Sequence, residues 1–227
     1  MLELLAFGSV LAHLMAAAPV QPTAPSRRGD VVAFVRPGHG VALRARPRGG
    51  VRATVGPRTS FGSPVALPVV RRSGRWLGVL STEMPNGRLA WVDSASDSVA
   101  YRSSALTLEA DLSARRLRVE IGARVVRSFP VAVGRPGSPT PIGRFAVTDK
   151  LRGSAYGSYF GCCILALSAH QPNLPTGWRG GDRLAIHGSP VADEGTASSA
   201  GCLHASERAL RYLMRVVPLG TQITIHP

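Results

Sequence analysis

The stretch Leu184–Val217, LAIHGSPVADEGTASSAGCLHASERALRYLMRVV, places a histidine at the end of an apolar run and a cysteine behind Ser-Ala-Gly. Leu184–His187 reads as a buried strand that breaks at Gly188. Cys202 falls in a loop just ahead of a helix. Ser206 suits the N-cap, Glu207 suits the positive helix start, and Leu210, Leu213, Met214 and Val217 recur on one face. Pro218 and Gly220 stop that helix, and Thr221–Ile225 reads as a closing strand. Cys202 then has two readings. It is a nucleophile whose proton His187 accepts, activated by a nearby imidazole and a helix N-terminus. Or it is a small buried thiol, the commoner state of free cysteine.

Outward from this stretch, the chain reads as mainly β. Residues 105–187 supply further strands, with turns at Asp111–Arg116 and Gly122-Ala123 giving two hairpins, and with RFAVTDK (144–150) as another strand. Upstream, VVAFV, VALRA, VRATV, PVALPVV, RWLGVL and RLAWV are short β-like runs between Gly, Pro, Asn and Ser clusters, with Asn86-Gly87 as a turn signal. Six such runs over residues 30–95 suggest a small all-β barrel. Residues 94–104 (SASDSVAYRSS) read as a polar spacer between it and a second unit, 105–227. The first 29 residues form an apolar, signal-like segment and a Pro/Ala/Arg-rich linker, with a cleavage region near Ala16–Ala18. Glu3, His13 and the missing positive leader interrupt the signal pattern. The run is short for the roughly 20 residues of a bilayer span, so export is expected and a permanent membrane span is not.

Composition narrows the partners. The 227 residues are 44% hydrophobic and 18% charged, as for a globular chain, with 25 Gly and 18 Pro pointing to many turns. The net charge of +14 rests on arginine, Lys150 being the only lysine, and favours an anionic partner. Nucleic acid is not expected, because no helix-turn-helix, zinc-finger or aromatic RNA-binding signature accompanies the charge. Three cysteines cannot all pair within one chain. Cys162-Cys163 read as part of a buried strand, with no disulfide expected between them. Cys202-x-His204 matches no common zinc framework, so neither metal nor cofactor is expected. His170 falls in a Pro/Gly-rich loop and reads as a surface residue.

Three segments in order, VGRPGSPTPIGRF (133–145), GGDRLAIHGSP (180–190) and SSAGC (198–202), resemble the motifs of the L,D-transpeptidase (YkuD-like) catalytic domain over roughly residues 105–227. The resemblance implies a β-rich catalytic domain with a cysteine and a histidine in a groove. It also implies attack on the L,D-peptide bond of a peptidoglycan tetrapeptide stem and transfer of the acyl group to an amine. On this resemblance Cys202 is the nucleophile and His187 the base, its ring oriented by the Gly188 or Ser189 carbonyl. Gly201 and Cys202 supply oxyanion-binding amides, and Ser199, His204 and, more distantly, Tyr156 border the substrate. Acylation by carbapenem β-lactams is implied as well. Asp182 fits the family pattern and equally fits a turn.

Two positions depart from the family: Ala200 stands where a histidine precedes Gly-Cys, and His204 stands where Arg or Asn is usual. His204 either supports the cysteine from the other side or is solvated. The departures leave an alternative open, a wall-binding protein whose catalytic domain is degenerate. The run GRWLGVL…NGRLAWVD, with Trp76, Gly87, Trp91 and the LRARP segment (43–47), resembles a bacterial SH3-like domain, which implies binding to cell-wall material. Trp76 and Trp91 equally suit core packing.

Overall fold

The computed structural model describes residues 30–227, so the signal-like segment lies outside the described residues. Two large sheets, each over its own core, and a small two-stranded sheet make up the described residues. The first contains β1 (Asp30–Val35), β2 (Val41–Arg44), β3 (Val51–Val55), β4 (Ala66–Ser73), β5 (Trp76–Val79), β6 (Ala90–Asp93) and β7 (Val99–Ser104). Their order is β3-β2-β6-β5-β4-β1-β7, with every pair antiparallel. Leu43, Leu67, Leu77, Val79 and Val92 fill the core, and Trp91 is buried with them. Asn86 and Gly87 occupy the middle of a turn closed by the Arg88 amide on the Pro85 carbonyl, Gly87 at φ +76°.

The spacer expectation fails over its second half. Residues 99–104 pair with β1 along its whole length, from Val35↔Val99 to Asp30↔Ser104. Val99 is buried and the rest of β7 is largely exposed. An edge strand with one covered residue carries almost no alternating signal, so composition alone reads it as loop.

The rest of the chain supplies β8 (Leu106–Asp111), β9 (Arg116–Ile121), β10 (Arg124–Pro130), β11 (Val133–Gly134), β12 (Gly143–Arg152), β13 (Cys163–His170), β14 (Arg183–His187), β15 (Ala197–Ser199), β16 (Leu203–His204) and β17 (Gln222–His226), eight of which form the second large sheet. Eight of these run in the order β10-β9-β8-β17-β12-β13-β14-β16, and β11 pairs separately with β15. The pairs β17–β8 and β14–β16 are parallel. Period-two alternation drives the outer strands: Leu108 and Ala110 of β8 and Leu117 and Val119 of β9 are buried, while Glu109 and Arg118 turn out and pair at 2.8 Å. The central β13 is buried along nearly its whole length because both its faces are covered.

The helix α1 (Glu207–Val216) starts at Ser206, whose side chain accepts the Ala209 amide, and buries Leu210 and Leu213 against the same core. It stops at Val217, which is extended as the residue before Pro218 must be. Among the described residues no helix is long and apolar enough to cross a membrane.

The two sheets touch through polar contacts. The Asn86 side chain donates to the His170 carbonyl at 2.7 Å and accepts the His170 amide at 2.9 Å. Asp149, fully buried, accepts the Thr59 hydroxyl. His170 is therefore no loose surface residue. It ends β13, and its ring meets Asp182 and the Thr82 carbonyl, each at 2.9 Å.

Candidate active site

Parallel pairing of β14 with β16 sets Ile186 opposite Leu203 and His187 opposite His204. Ile186 and Leu203 point into the core, so alternation brings the two imidazoles together on the other face. Their ring centroids lie 4.8 Å apart at 48°. Both rings are buried, and Cys202, two residues before His204, is half-buried with a free thiol.

The loop carrying Cys202 is braced from three sides. The Ser199 hydroxyl donates to the Cys202 carbonyl at 2.6 Å and accepts the Gly201 amide at 3.0 Å. Thr140 donates to the Gly201 carbonyl at 2.9 Å. Buried Gln171 donates to the Ala200 carbonyl at 2.9 Å and the Pro139 carbonyl at 3.1 Å, tying the Pro-Thr-Pro segment to the cysteine loop. Gly201 sits at φ +117°, and a Cβ there would lie 2.0 Å from Gln171 Nε2. Only glycine fits on both counts.

Hydrogen bonds settle the tautomer of His187. Its Nδ1 is 2.6 Å from the Gly188 carbonyl, which only accepts, so Nδ1 donates and Nε2 is the proton acceptor of the neutral ring. Burial, and then the charge on His204, lower its pKa to about 4, so the ring is neutral at pH 7. Burial pushes the Cys202 thiol up to about 11, the Ala185 amide opposing in part. The resting pair is therefore thiol and imidazole, with the proton still on sulfur.

The site residues anticipated from sequence take different places. Ser199, expected at the substrate, is 2% exposed and shapes the cysteine loop instead. The Gly201 amide is engaged by Ser199, which leaves the Cys202 amide of the expected oxyanion pair. His204 is buried beside His187 rather than solvated. Tyr156 turns away toward the first sheet, 44% exposed and edge-on to Phe61 at 6.0 Å. Tyr159 is the tyrosine that meets the imidazoles, at 5.8 Å from His187 and 6.2 Å from His204, with Phe160 at 5.0 Å from His187. Burial and then the charges of Cys202 and Asp193 raise the Tyr159 pKa. Asp182 binds His170, at the opposite end of β14 from His187.

Cys162 and Cys163 are joined as a disulfide, contrary to the sequence expectation, where the chain leaves a 3-10 turn (Ser158–Phe160) and enters β13. The Cys162 amide donates to Glu207 at 2.6 Å, which fastens this corner to the start of α1.

Two features escaped the sequence reading altogether. Asp193 Oδ2 lies 2.7 Å from His204 Nδ1 and accepts the Ser198 hydroxyl at 2.6 Å. Burial works against its ionisation, but the Ser198 and His204 hydrogen bonds prevail and its pKa is lowered. A cavity of about 400 Å³ opens between the two sheets and is lined by Arg58, Thr59, Glu83, Thr148, His170 and Arg183 among others, away from Cys202. Among the described residues no three His, Cys, Asp or Glu side chains gather as a metal site.

Residues 106–225 match the model of the YkuD family, the L,D-transpeptidase catalytic domain. The chain belongs to the L,D-transpeptidase family. It is 30% identical over 132 residues to YkuD of Bacillus licheniformis, covering 58% of this chain and 68% of that one. It is 30% identical over 116 residues to YkuD of Bacillus subtilis, covering 51% and 62%, so the match spans less than two thirds of that relative's length. Both relatives are named as candidate L,D-transpeptidases. Solved L,D-transpeptidase structures are also similar. One from Mycobacterium smegmatis is 18% identical, with a TM-score of 0.46, over 92% of this chain and all of that one. L,D-transpeptidase 3 of Mycobacterium tuberculosis, solved with a faropenem-derived adduct, is 19% identical with a TM-score of 0.44, over 61% and 73%.

Proposed function

We propose that this chain is an exported peptidoglycan L,D-transpeptidase that works through a Cys202 acyl-enzyme, with the first sheet as an SH3-like module that holds the wall. The observation that carries the chemistry is a free, half-buried Cys202 two residues before His204, whose ring lies 4.8 Å from that of His187, with His187 Nε2 as the open acceptor. His187 takes the thiol proton as sulfur attacks the carbonyl of a tetrapeptide stem, and the Cys202 amide meets the developing oxyanion. The C–N bond breaks, and an acceptor amine then resolves the thioester. A thiol with a pKa near 11 attacks only in concert with proton removal, the part this reading assigns to His187.

Purified full chain incubated with disaccharide-tetrapeptides and an amine acceptor is expected to yield cross-linked products by mass, and a carbapenem is expected to add to Cys202. Cys202→Ser and His187→Ala should each lower turnover by about 10²-fold or more, the usual scale of general-base help. Full turnover in Cys202→Ser would overturn the reading.

A further inference from the structure

His204 stands where the family usually carries Arg or Asn, and the structure gives it a partner. His204 Nδ1 lies 2.7 Å from Asp193 Oδ2, and a carboxylate only accepts. Nδ1 is therefore a donor, and Nε2 is the ring atom through which His204 exchanges a proton. Asp193 has a bare Oδ1, buried and without a protein partner, so the carboxylate is held through Oδ2 alone, by the Ser198 hydroxyl and His204. Such a carboxylate fixes the tautomer and the orientation of the ring. His187 has the opposite surroundings: its Nδ1 meets a neutral carbonyl, and its other neighbours are Phe160, Tyr159 and His204 itself. At a 4.8 Å ring separation, a charge on one imidazole opposes a charge on the other. Tyr159 stands edge-on over His204 and tilted against His187, and the charged groups acting on Tyr159 are Cys202, Asp193 and Arg135.

We infer that His204, backed by Asp193, is a second catalytic residue that protonates the departing amine while His187 takes the proton of Cys202. This rests on the acyl-transfer reading above. In acylation the sulfur proton passes to His187 Nε2, the S–C bond forms, and the C–N bond breaks as His204 Nε2 gives its proton to the amine nitrogen. In the transfer half, the acceptor amine attacks the thioester and releases its proton to His204 Nε2. The C–S bond breaks and His187 returns its proton to sulfur. Each ring ends as it began, and no further reactant is needed. A single histidine would have to serve sulfur and nitrogen in turn, whereas two rings on adjacent strands divide the task.

The test compares two donors on the full chain under single-turnover conditions. One is a tetrapeptide stem with its natural amide, and the other is the same stem as a nitrophenyl ester, whose leaving group departs without a proton. The expected result is that His204→Gln and Asp193→Asn each lower the amide-to-ester rate ratio, by about 10²-fold for His204→Gln, the lower end of general-acid help. His187→Gln should slow both donors and leave the ratio near that of the wild type. Equal slowing of both donors in His204→Gln and Asp193→Asn would reduce the pair to a structural role and overturn the inference. An unchanged amide rate would overturn it too. A wild-type chain acylated by neither donor would instead remove the acyl-transfer reading, and this inference with it.

Discussion

At the scale of single residues, two opposed pKa shifts govern reactivity. Burial holds the Cys202 thiol up at about 11 and helps hold His187 down at about 4, so between these values neither group is charged at rest. A resting thiolate–imidazolium pair would react with an alkylating agent at a rate nearly flat across neutral pH. A neutral pair gives a rate that climbs with thiolate fraction, about tenfold per pH unit. Iodoacetamide labelling of Cys202, the one thiol outside the disulfide, should therefore rise steadily from pH 7 to pH 10. A plateau below pH 8 would show that the pair exchanges its proton before substrate arrives. Cys202 and His187, the proposed nucleophile and base, stood out in the sequence because each sits in a short motif next to a strand end or a helix start. Asp193 did not, since VADEGT reads as an ordinary loop and nothing in its spacing announces that it folds back onto His204. Tyr156 and Tyr159 are three positions apart in one glycine-containing stretch, and only the 3-10 turn decides which ring reaches the imidazoles.

At the scale of elements, the cysteine loop between β15 and β16 depends on a close approach that composition does not display. Gly201→Ala would force a Cβ into Gln171 at a backbone conformation L-residues rarely adopt. Gln171 is buried and bonded to two carbonyls, so it cannot simply swing away. The expected result is a loss of about 1–3 kcal/mol in chemical unfolding, the usual cost of such backbone strain, with a larger proportional fall in acylation than in stability. An unperturbed Gly201→Ala would show the loop to be looser than its hydrogen bonds indicate. Ser206→Ala should cost about 1 kcal/mol through loss of the α1 cap while leaving the midpoint of the Cys202 labelling profile in place. Most strands were legible from alternation and turn residues, and the helix from its cap and apolar face. The exceptions have physical causes: β7 is an edge strand with one buried side chain, and β11, β15 and β16 are two or three residues long. Strands so short owe their form to their neighbours rather than to any periodicity.

For the whole molecule, the two sheets are joined by buried polar contacts, and these make the first sheet matter to the stability of the second. Asp149 is fully buried with Thr59 of the first sheet on one oxygen and Arg183 at 3.8 Å from the other. Thr59→Val keeps the shape but removes the hydroxyl, leaving a buried carboxylate oxygen without its donor. The expected loss is about 1–3 kcal/mol in global stability, read by denaturant titration. A null effect would mean that water or a rearranged Arg183 replaces the hydroxyl. None of this coupling is written in the sequence, because residues 59 and 149 each belong to a locally sensible motif and meet only across the sheet interface.

The place of β17 between β8 and β12 has a consequence in time. The first and last strands of the second sheet lie side by side in parallel, so the middle of that sheet is missing until the final strand has been synthesised. A nascent chain halted before Gln222 would carry β8–β10 and β12–β14 as two unjoined halves, with Leu108, Phe145 and Leu165 uncovered and no complete core. Assembly of the cysteine and histidine strands into a stable sheet is thus postponed until Gln222–His226 has been synthesised. The thiol is kept out of its finished surroundings until that strand has emerged. Deletion of residues 222–227 should accordingly leave the first sheet able to form while the second fails to protect its amides from hydrogen exchange. Native-like protection of β12–β14 in that truncation would show that the two halves of the sheet can stand apart.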